Sequence, residues 1–144
     1  MKNLKSIMSV LLALWIVGVM PISARPRAKR VVMIALDGIS VPGFTTAHTP
    51  NLDNLLAQGA LSLTTRVVMP SVTLPNWTSH LTGSGPEQHG VVDNGWQIDK
   101  KGFPAVEIDK EGYYPSVFKV MKEEIPECKT AFYYNWINLF YPYN

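Results

Sequence analysis

Thr73, which lies between two prolines, is the residue of this chain whose type and setting best suit nucleophilic chemistry. Pro70 and Pro75 flank it, and apolar residues recur at helical spacing from Leu74 to Leu81. This pattern predicts a helix that begins at or next to Thr73. The free N–H groups and the positive dipole end at a helix start can bind an anion. A threonine there is most often only a helix cap, so both roles stay open.

Two further polar residues could act on the same anion. Asp37 directly follows the apolar run 31–36, which predicts a buried strand, and a carboxylate at a strand end is a hard oxygen ligand for a cation. Asn94 lies 21 residues after Thr73 and offers an amide donor. Taken singly, Asp37 before a glycine is also typical of a capped loop, and Asn94 of a turn.

Four blocks of sequence, in their order and spacing, resemble the type I phosphodiesterase/nucleotide pyrophosphatase family of the alkaline phosphatase superfamily. They are VVMIALDGIS (31–40), TPNLDNLLAQGA (49–60), PSVTLPNWTSHLTG (70–83) and GPEQHGVVDNGW (85–96). The resemblance implies that Thr73 is the nucleophile and touches a metal, that Asp37 is a metal ligand, and that Asn94 donates to a phosphoryl oxygen. It also implies two divalent cations, with zinc expected, and a phosphothreonine intermediate that water hydrolyses.

The residue after the expected nucleophile departs from the family pattern and bears on the substrate. That position is usually aromatic in the family and helps to form a nucleotide-base pocket, whereas here it is Leu74. The resemblance therefore implies a small phosphate-ester substrate, with nucleotides and simpler esters both open and weak discrimination between bases expected. The sulfatase pattern is excluded, because it needs Cys or Ser and then Arg where this chain has Thr73 and Trp77. His89 matches a position that the family uses structurally.

The first 24 residues have the layout of a secretory signal peptide. Lys2 and Lys5 precede an uncharged apolar run of 14 residues that ends at Met20, and the small residue Ala24 closes the segment. Because a membrane helix needs about 20 apolar residues, no stable membrane span is expected. The basic cluster at 25–30 could instead flank a retained anchor. We expect cleavage after Ala24 and export to the periplasm or the exterior.

Charge and cysteine content exclude several functional classes. After residue 30 the chain carries seven Lys and Arg against 11 Asp and Glu, so no nucleic-acid binding surface is expected. Cys128 is the only cysteine, which excludes an intrachain disulfide and a cysteine-based metal cluster.

Alternating apolar segments and amphipathic segments predict an α/β fold, with a mostly parallel central sheet and helices on both faces. The resemblance implies that this fold is alkaline-phosphatase-like. Strands are predicted at 31–36, 60–68 and 130–136, and helices from Thr49-Pro50 to Gly59, from Leu74 to Leu81 and from Ser116 to Glu124. Ligands of such sheets bind at the carboxyl ends of the strands, which is where Asp37 and Thr73 would fall.

Residues 97–144 lack the ligands that complete the family's metal site. The family supplies an Asp-x-x-x-His segment, an Asp-His pair and a last His, whereas this stretch contains no histidine. Residues 25–144 are therefore expected to be the N-terminal part of a longer catalytic domain, and to be inactive by themselves. The alternative from another functional class is a truncated, non-catalytic domain that binds phosphate-bearing ligands or a partner.

Overall fold

A computed structural model describes residues 29–100 and 102–143, which contain helices joined by irregular segments. In chain order they are α1 (Val41–Thr46), α2 (Pro50–Leu56), α3 (Thr73–Thr82), α4 (Pro86–His89), α5 (Val117–Glu124) and a 3₁₀ turn (Ile137–Leu139). The chain divides into one unit up to Leu36 and a second from Asp37 onward. The predicted signal peptide, residues 1–24, lies outside the described residues.

The prediction of a mostly parallel sheet is wrong, because the described residues contain no strand. All three segments predicted as strands, 31–36, 60–68 and 130–136, are irregular, and the side chains of Val31 and Ile34 are 81% and 79% exposed. A strand satisfies its N–H and C=O groups only by pairing with a neighbouring strand, whereas a helix satisfies them within itself. An apolar run shows that a segment favours burial, but it does not supply the paired strand.

Helix α3 begins and ends close to where the sequence predicts. Val72 is its N-cap residue, and Pro75 occupies the first turn, where a missing N–H leaves no helical bond unmade. The helix ends before Gly83, whose φ of 68° lies in the left-handed region that glycine adopts without a steric cost. One face of α3 is buried and carries Leu74, Pro75, Thr78 and Leu81.

The other predicted helices are confirmed with small changes, and two helices, α1 and α4, were not predicted. Helix α2 begins at Pro50 as predicted and ends at Leu56, before Gly59, while α5 has Ser116 as its N-cap residue. At the start of α1 the Ser40 hydroxyl accepts a hydrogen bond from the N–H of Gly43 at 3.2 Å. Pro42 and Gly43 are both typical of loops, so a loop was expected between Gly38 and Thr49, and this capping pattern was overlooked.

The buried core lies against the start of α3. Leu74, Val91 and Trp96 form its centre. Partly buried apolar side chains pack around them from later parts of the chain: Ile98, Tyr113, Trp136, Leu139 and Tyr141. Residues up to 67 positions after Leu74 therefore hold the end of the helix at which Thr73 lies.

Candidate active site

Thr73 is the first residue of α3, directly after the N-cap residue Val72. Its side chain is half-buried. The prediction that Thr73 lies at or next to the N-cap is confirmed. Because Val72 holds the N-cap position, the ordinary role of a threonine at a helix start, capping with its own hydroxyl, does not apply to Thr73.

Asn94 supplies the cap that Val72 cannot. The amide oxygen of Asn94 accepts a hydrogen bond from the backbone N–H of Leu74 at 2.8 Å, across 20 residues of sequence. Because the oxygen of this planar amide faces the helix, its NH₂ group lies on the other side of the amide carbon, where it can donate to a second partner. The structure thus brings Asn94 to the residue next to Thr73.

The loop before Thr73 is held by a second amide, that of Asn76. Its oxygen accepts from the N–H of Val68 at 2.9 Å, and its NH₂ donates to the carbonyls of Pro70 and Val72 at 3.3 Å and 2.8 Å. One side chain of α3 therefore fixes the chain on the N-terminal side of Thr73. Sequence reasoning missed this role, although an asparagine shortly after a helix start is a known partner for loop backbone.

Asp37 lies apart from these contacts. Its side chain is exposed, and its carboxylate accepts a hydrogen bond from the N–H of its neighbour Gly38 at 2.9 Å. Gly38 has a φ of 73°, so the chain turns sharply after Asp37. Within the described residues no hydrogen bond joins Asp37 to Thr73 or to Asn94.

The predicted metal ligands offer too few donors for a tightly held ion. The Asp37 carboxylate and the Thr73 hydroxyl are oxygen donors of the kind that divalent cations bind, so their chemistry fits. Zinc sites, however, take three or four protein ligands. In the described parts of the chain no group of three or more His, Cys, Asp or Glu residues could hold a metal ion. The two residues therefore fit a metal site in kind but not in number.

His89 is buried and fully engaged, in agreement with its predicted structural role. Its Nδ1 accepts a hydrogen bond from the N–H of Val91 at 3.1 Å, so the ring proton lies on Nε2, which donates to the hydroxyl of Ser79 at 3.0 Å. Burial lowers the pKa of His89 from 6.5 to about 4, although the carboxylate of Glu87 raises it in part. A neutral ring that already donates to Ser79 cannot take its proton, so this pair is not a nucleophile and its base.

Leu74, which replaces the family's aromatic residue, is completely buried. Its side chain is 0% exposed and packs against Val91 and Trp96. It therefore belongs to the core that supports Thr73, and it does not line an open surface beside it. The prediction of weak discrimination between nucleotide bases is not tested by this geometry.

The cavity found in the described chain lies elsewhere. It is open, with a volume of about 730 Å³, and Asp109, Tyr113, Lys119 and Tyr143 are among its lining residues. Lys119 forms an ion pair with Asp109 at 3.3 Å. None of the predicted site residues lines this cavity.

Most of the chain matches a single protein family when it is compared with known proteins. Residues 31–139 match the family described as type I phosphodiesterase / nucleotide pyrophosphatase. The chain is 35% identical over 66 residues to ectonucleotide pyrophosphatase/phosphodiesterase family member 3 of Mus musculus, covering 44% of this chain and 8% of the relative. It is 30% identical over 83 residues to bis(5'-adenosyl)-triphosphatase enpp4 of Mus musculus, covering 56% and 18%.

A more distant relative aligns over more of the chain. Identity to venom phosphodiesterase of Macrovipera lebetinus is 23% over 148 aligned positions, which cover 76% of this chain and 17% of the relative. The chain thus spans less than a fifth of the length of these curated relatives. No solved structure matches the chain.

Proposed function

Since the chain belongs to the type I phosphodiesterase/nucleotide pyrophosphatase family, we propose that it forms part of a hydrolase of phosphodiester or pyrophosphate bonds, or of phosphomonoesters. The relatives are two phosphodiesterases and a triphosphatase by name, which are enzymes that cleave phosphate linkages. The family resemblance inferred from the four sequence blocks is confirmed by the match over residues 31–139.

In the proposed reaction Thr73 is the nucleophile. Its hydroxyl oxygen bonds to phosphorus, its proton passes to solvent, and the ester oxygen leaves with the electron pair of its bond to phosphorus. Water then attacks phosphorus and breaks its bond to the Thr73 oxygen, which takes a proton from the water and re-forms the hydroxyl. The product is a phosphomonoester when the substrate is a diester, and phosphate when the substrate is a monoester. The NH₂ group of Asn94 donates to a phosphoryl oxygen, on which negative charge grows during attack.

The hydrogen bond from Leu74 N–H to the Asn94 amide oxygen, at 2.8 Å, is the observation that best supports this proposal. It joins the candidate donor to the residue that follows the candidate nucleophile. It also uses the oxygen of Asn94, so that the donor end of the amide remains for a ligand. An asparagine that served only as a turn residue would need no such contact with a helix 20 residues earlier.

We also propose that the reaction needs two divalent cations, with zinc expected, and that Asp37 and Thr73 are among their ligands. Such cations would stabilise a threonine alkoxide and offset charge on the phosphate. Because two oxygen donors are too few, further ligands would have to join them.

Export of the protein is a further part of the proposal. One relative is named an ectonucleotide pyrophosphatase/phosphodiesterase and another a venom phosphodiesterase, and both names agree with the signal-peptide layout of residues 1–24. In the described residues, no helix has both the length and the apolar character needed to cross a membrane.

Replacing Thr73 in the full-length protein tests the proposal. Thr73→Ala removes the attacking oxygen, and we expect kcat for a chromogenic phosphodiester to fall by at least about 10³-fold. Thr73→Ser keeps a hydroxyl and serves as the matched variant, with measurable turnover expected. Acid quenching and peptide mass spectrometry should find the phosphoryl group of the substrate, still carrying its second ester, on residue 73 in the wild type and in Thr73→Ser. If Thr73→Ala folds normally and retains more than about a tenth of wild-type kcat, the nucleophile assignment is wrong.

The same experiment distinguishes an enzyme from the alternative, a non-catalytic domain that binds phosphate-bearing ligands. A protein that binds a phosphate ester by calorimetry, but shows neither turnover nor a phosphorylated residue in its metal-loaded form, would be a binding domain of this family.

A further inference from the structure

Asn94 is held at a second point that lies far along the chain. The side-chain NH₂ of Asn138 donates to the backbone carbonyl of Asn94 at 2.6 Å, across 44 residues of sequence. Asn138 is the middle residue of the 3₁₀ turn Ile137–Leu139 and is half-buried. Asn94 therefore makes one hydrogen bond through its side chain and another through its backbone, to two different elements.

These two bonds together determine the orientation of the Asn94 amide. The bond to Leu74 fixes only the oxygen end of the side chain, and the backbone could still move around it. The bond from Asn138 fixes the peptide plane that follows Asn94, and the carboxylate of Asp93 accepts from the N–H of Gly95 at 2.6 Å on the same turn. With both ends fixed, the direction of the remaining NH₂ group follows.

The turn that carries Asn138 is itself anchored to the same core. Trp136 and Leu139, on either side of Asn138, pack against the cluster that contains Leu74. The contacts form a closed circuit, from Leu74 to Asn94, from Asn94 to Asn138, and from the residues beside Asn138 back to Leu74. Residues joined in this closed set of contacts resist displacement, because a shift of one residue strains its contacts with the others.

We propose that Asn138 is a positioning residue, which aims the NH₂ group of Asn94 at the phosphoryl oxygen through its hydrogen bond to the Asn94 carbonyl. This inference rests on the proposed function, because it assigns a role to Asn138 only if Asn94 acts on the substrate. An asparagine suits the task, since its planar NH₂ donates to a carbonyl from a short, two-torsion side chain. Misplacement of a catalytic group by about 1 Å can cost up to about 10²-fold in rate.

A hydrogen bond between a side chain and a loop carbonyl is often purely structural, so the test must measure coupling to Asn94. Asn138→Ala and Asn138→Asp, an isosteric change that removes the donor, are made in the full-length wild type and in Asn94→Ala. The control is Asn135→Ala, because Asn135 is exposed in the same segment and has the same side chain. Kinetics with a chromogenic phosphodiester are measured for each variant, alongside thermal melting.

We expect Asn138→Ala and Asn138→Asp to lower kcat about tenfold in the wild type, with KM changed less than about twofold. In the Asn94→Ala background the same changes should cost less than about twofold, because the group they position is gone. Asn135→Ala should match the wild type in both measurements.

The possible failures are distinguishable. Wild-type kinetics in Asn94→Ala would remove the proposed role of Asn94 and this inference together. A large loss in Asn94→Ala, with an equal loss from the Asn138 changes in both backgrounds, would overturn this inference alone, as would wild-type kinetics in both Asn138 variants. If neither Asn138 variant folds, Asn138 is a structural residue and the inference is likewise overturned.

Discussion

The two sides of the proposed site, around Thr73 and around Asp37, differ in the number and range of the contacts that hold them. Thr73 begins a helix with a buried face, and Asn94, 20 residues from the second residue of that helix, caps it. Asp37 is exposed, and its carboxylate accepts a hydrogen bond only from Gly38 among the described residues. One side is held by contacts that reach across the chain, and the other by a single local turn.

This contrast follows from how the backbone N–H and C=O groups on each side find hydrogen-bond partners. Helix α3 makes its hydrogen bonds internally and then needs only one apolar face to be covered, which Val91 and Trp96 do for Leu74. Asp37 follows a segment that was predicted as a strand, and a strand is stable only beside another. The start of α3 is therefore stabilised by hydrogen bonds within the helix and by one covered face, whereas residues 31–36 form neither a helix nor a paired strand.

Changing Asp37 gives the largest effect expected from this comparison. If Asp37 is a metal ligand in the full-length protein, Asp37→Asn should lower kcat/KM by on the order of 10³-fold and reduce bound metal, measured by elemental analysis. Asp99→Asn is the matched control, because Asp99 is also exposed and loop-borne. Full metal content together with wild-type kinetics in Asp37→Asn would make Asp37 a loop-capping residue.

Changing Asn94 in two ways separates its capping role from its donor role. Asn94→Ala should lower kcat by about 10²–10³-fold, with little change in metal content. Asn94→Asp keeps an oxygen that can accept from Leu74 N–H, and a negative charge at a helix start is favourable, so the melting temperature should be preserved. It removes the NH₂ donor, however, so kcat should fall at least as far as in Asn94→Ala.

An Asn94→Asp variant with wild-type kcat would contradict the donor role. Asn94 would then be a capping residue alone, and the support that its geometry gives to the proposed function would be lost.

Leu74→Phe tests whether the residue after Thr73 belongs to the core or to a substrate pocket. Since Leu74 is completely buried against Val91 and Trp96, a larger ring should overpack the core and lower the free energy of unfolding by about 1–3 kcal/mol. Leu55→Phe, at a side chain that is 69% exposed, is the control and should change it by less than about 0.5 kcal/mol. A gain of more than about tenfold in nucleotide preference, without loss of stability, would indicate that residue 74 faces the substrate.

The features that sequence reasoning predicted correctly are local ones. Thr73 was expected at a helix start because the prolines and the leucine spacing around it act within one or two turns. The capping of Leu74 by Asn94, and the contact of Asn138 with Asn94, join residues 20 and 44 positions apart. No local pattern records such pairs, because each asparagine by itself is equally typical of a turn. The sheet was predicted wrongly for the related reason that pairing between strands is a long-range property.

The smallest expected effect is a pH dependence of stability that comes from His89. This residue contacts Ser79 of α3 and so belongs to the Thr73 side of the proposed site. Burial of the ring lowers the pKa of His89 to about 4 in the folded protein, against 6.5 for an exposed histidine, although the carboxylate of Glu87 raises it in part. Between these values the unfolded chain binds a proton that the folded chain does not, so stability is complete above pH 6.5 and is lost as the pH falls towards 4. We expect urea unfolding to give a free energy about 1–2 kcal/mol lower at pH 5 than at pH 7.5.

Replacing the ring identifies the source of this loss. His89→Gln should flatten the difference between pH 7.5 and pH 5, whatever its effect on absolute stability, because the titrating group is absent. His80→Gln, at an exposed histidine of α3 whose Nδ1 donates to the Asn76 carbonyl at 2.8 Å, is the control and should leave the difference as in the wild type. An undiminished loss in His89→Gln would mean that other groups titrate, and that His89 is already protonated, or accessible to protons, in the folded state. The conclusion that His89 is packed tightly against α3, away from water, would then be contradicted.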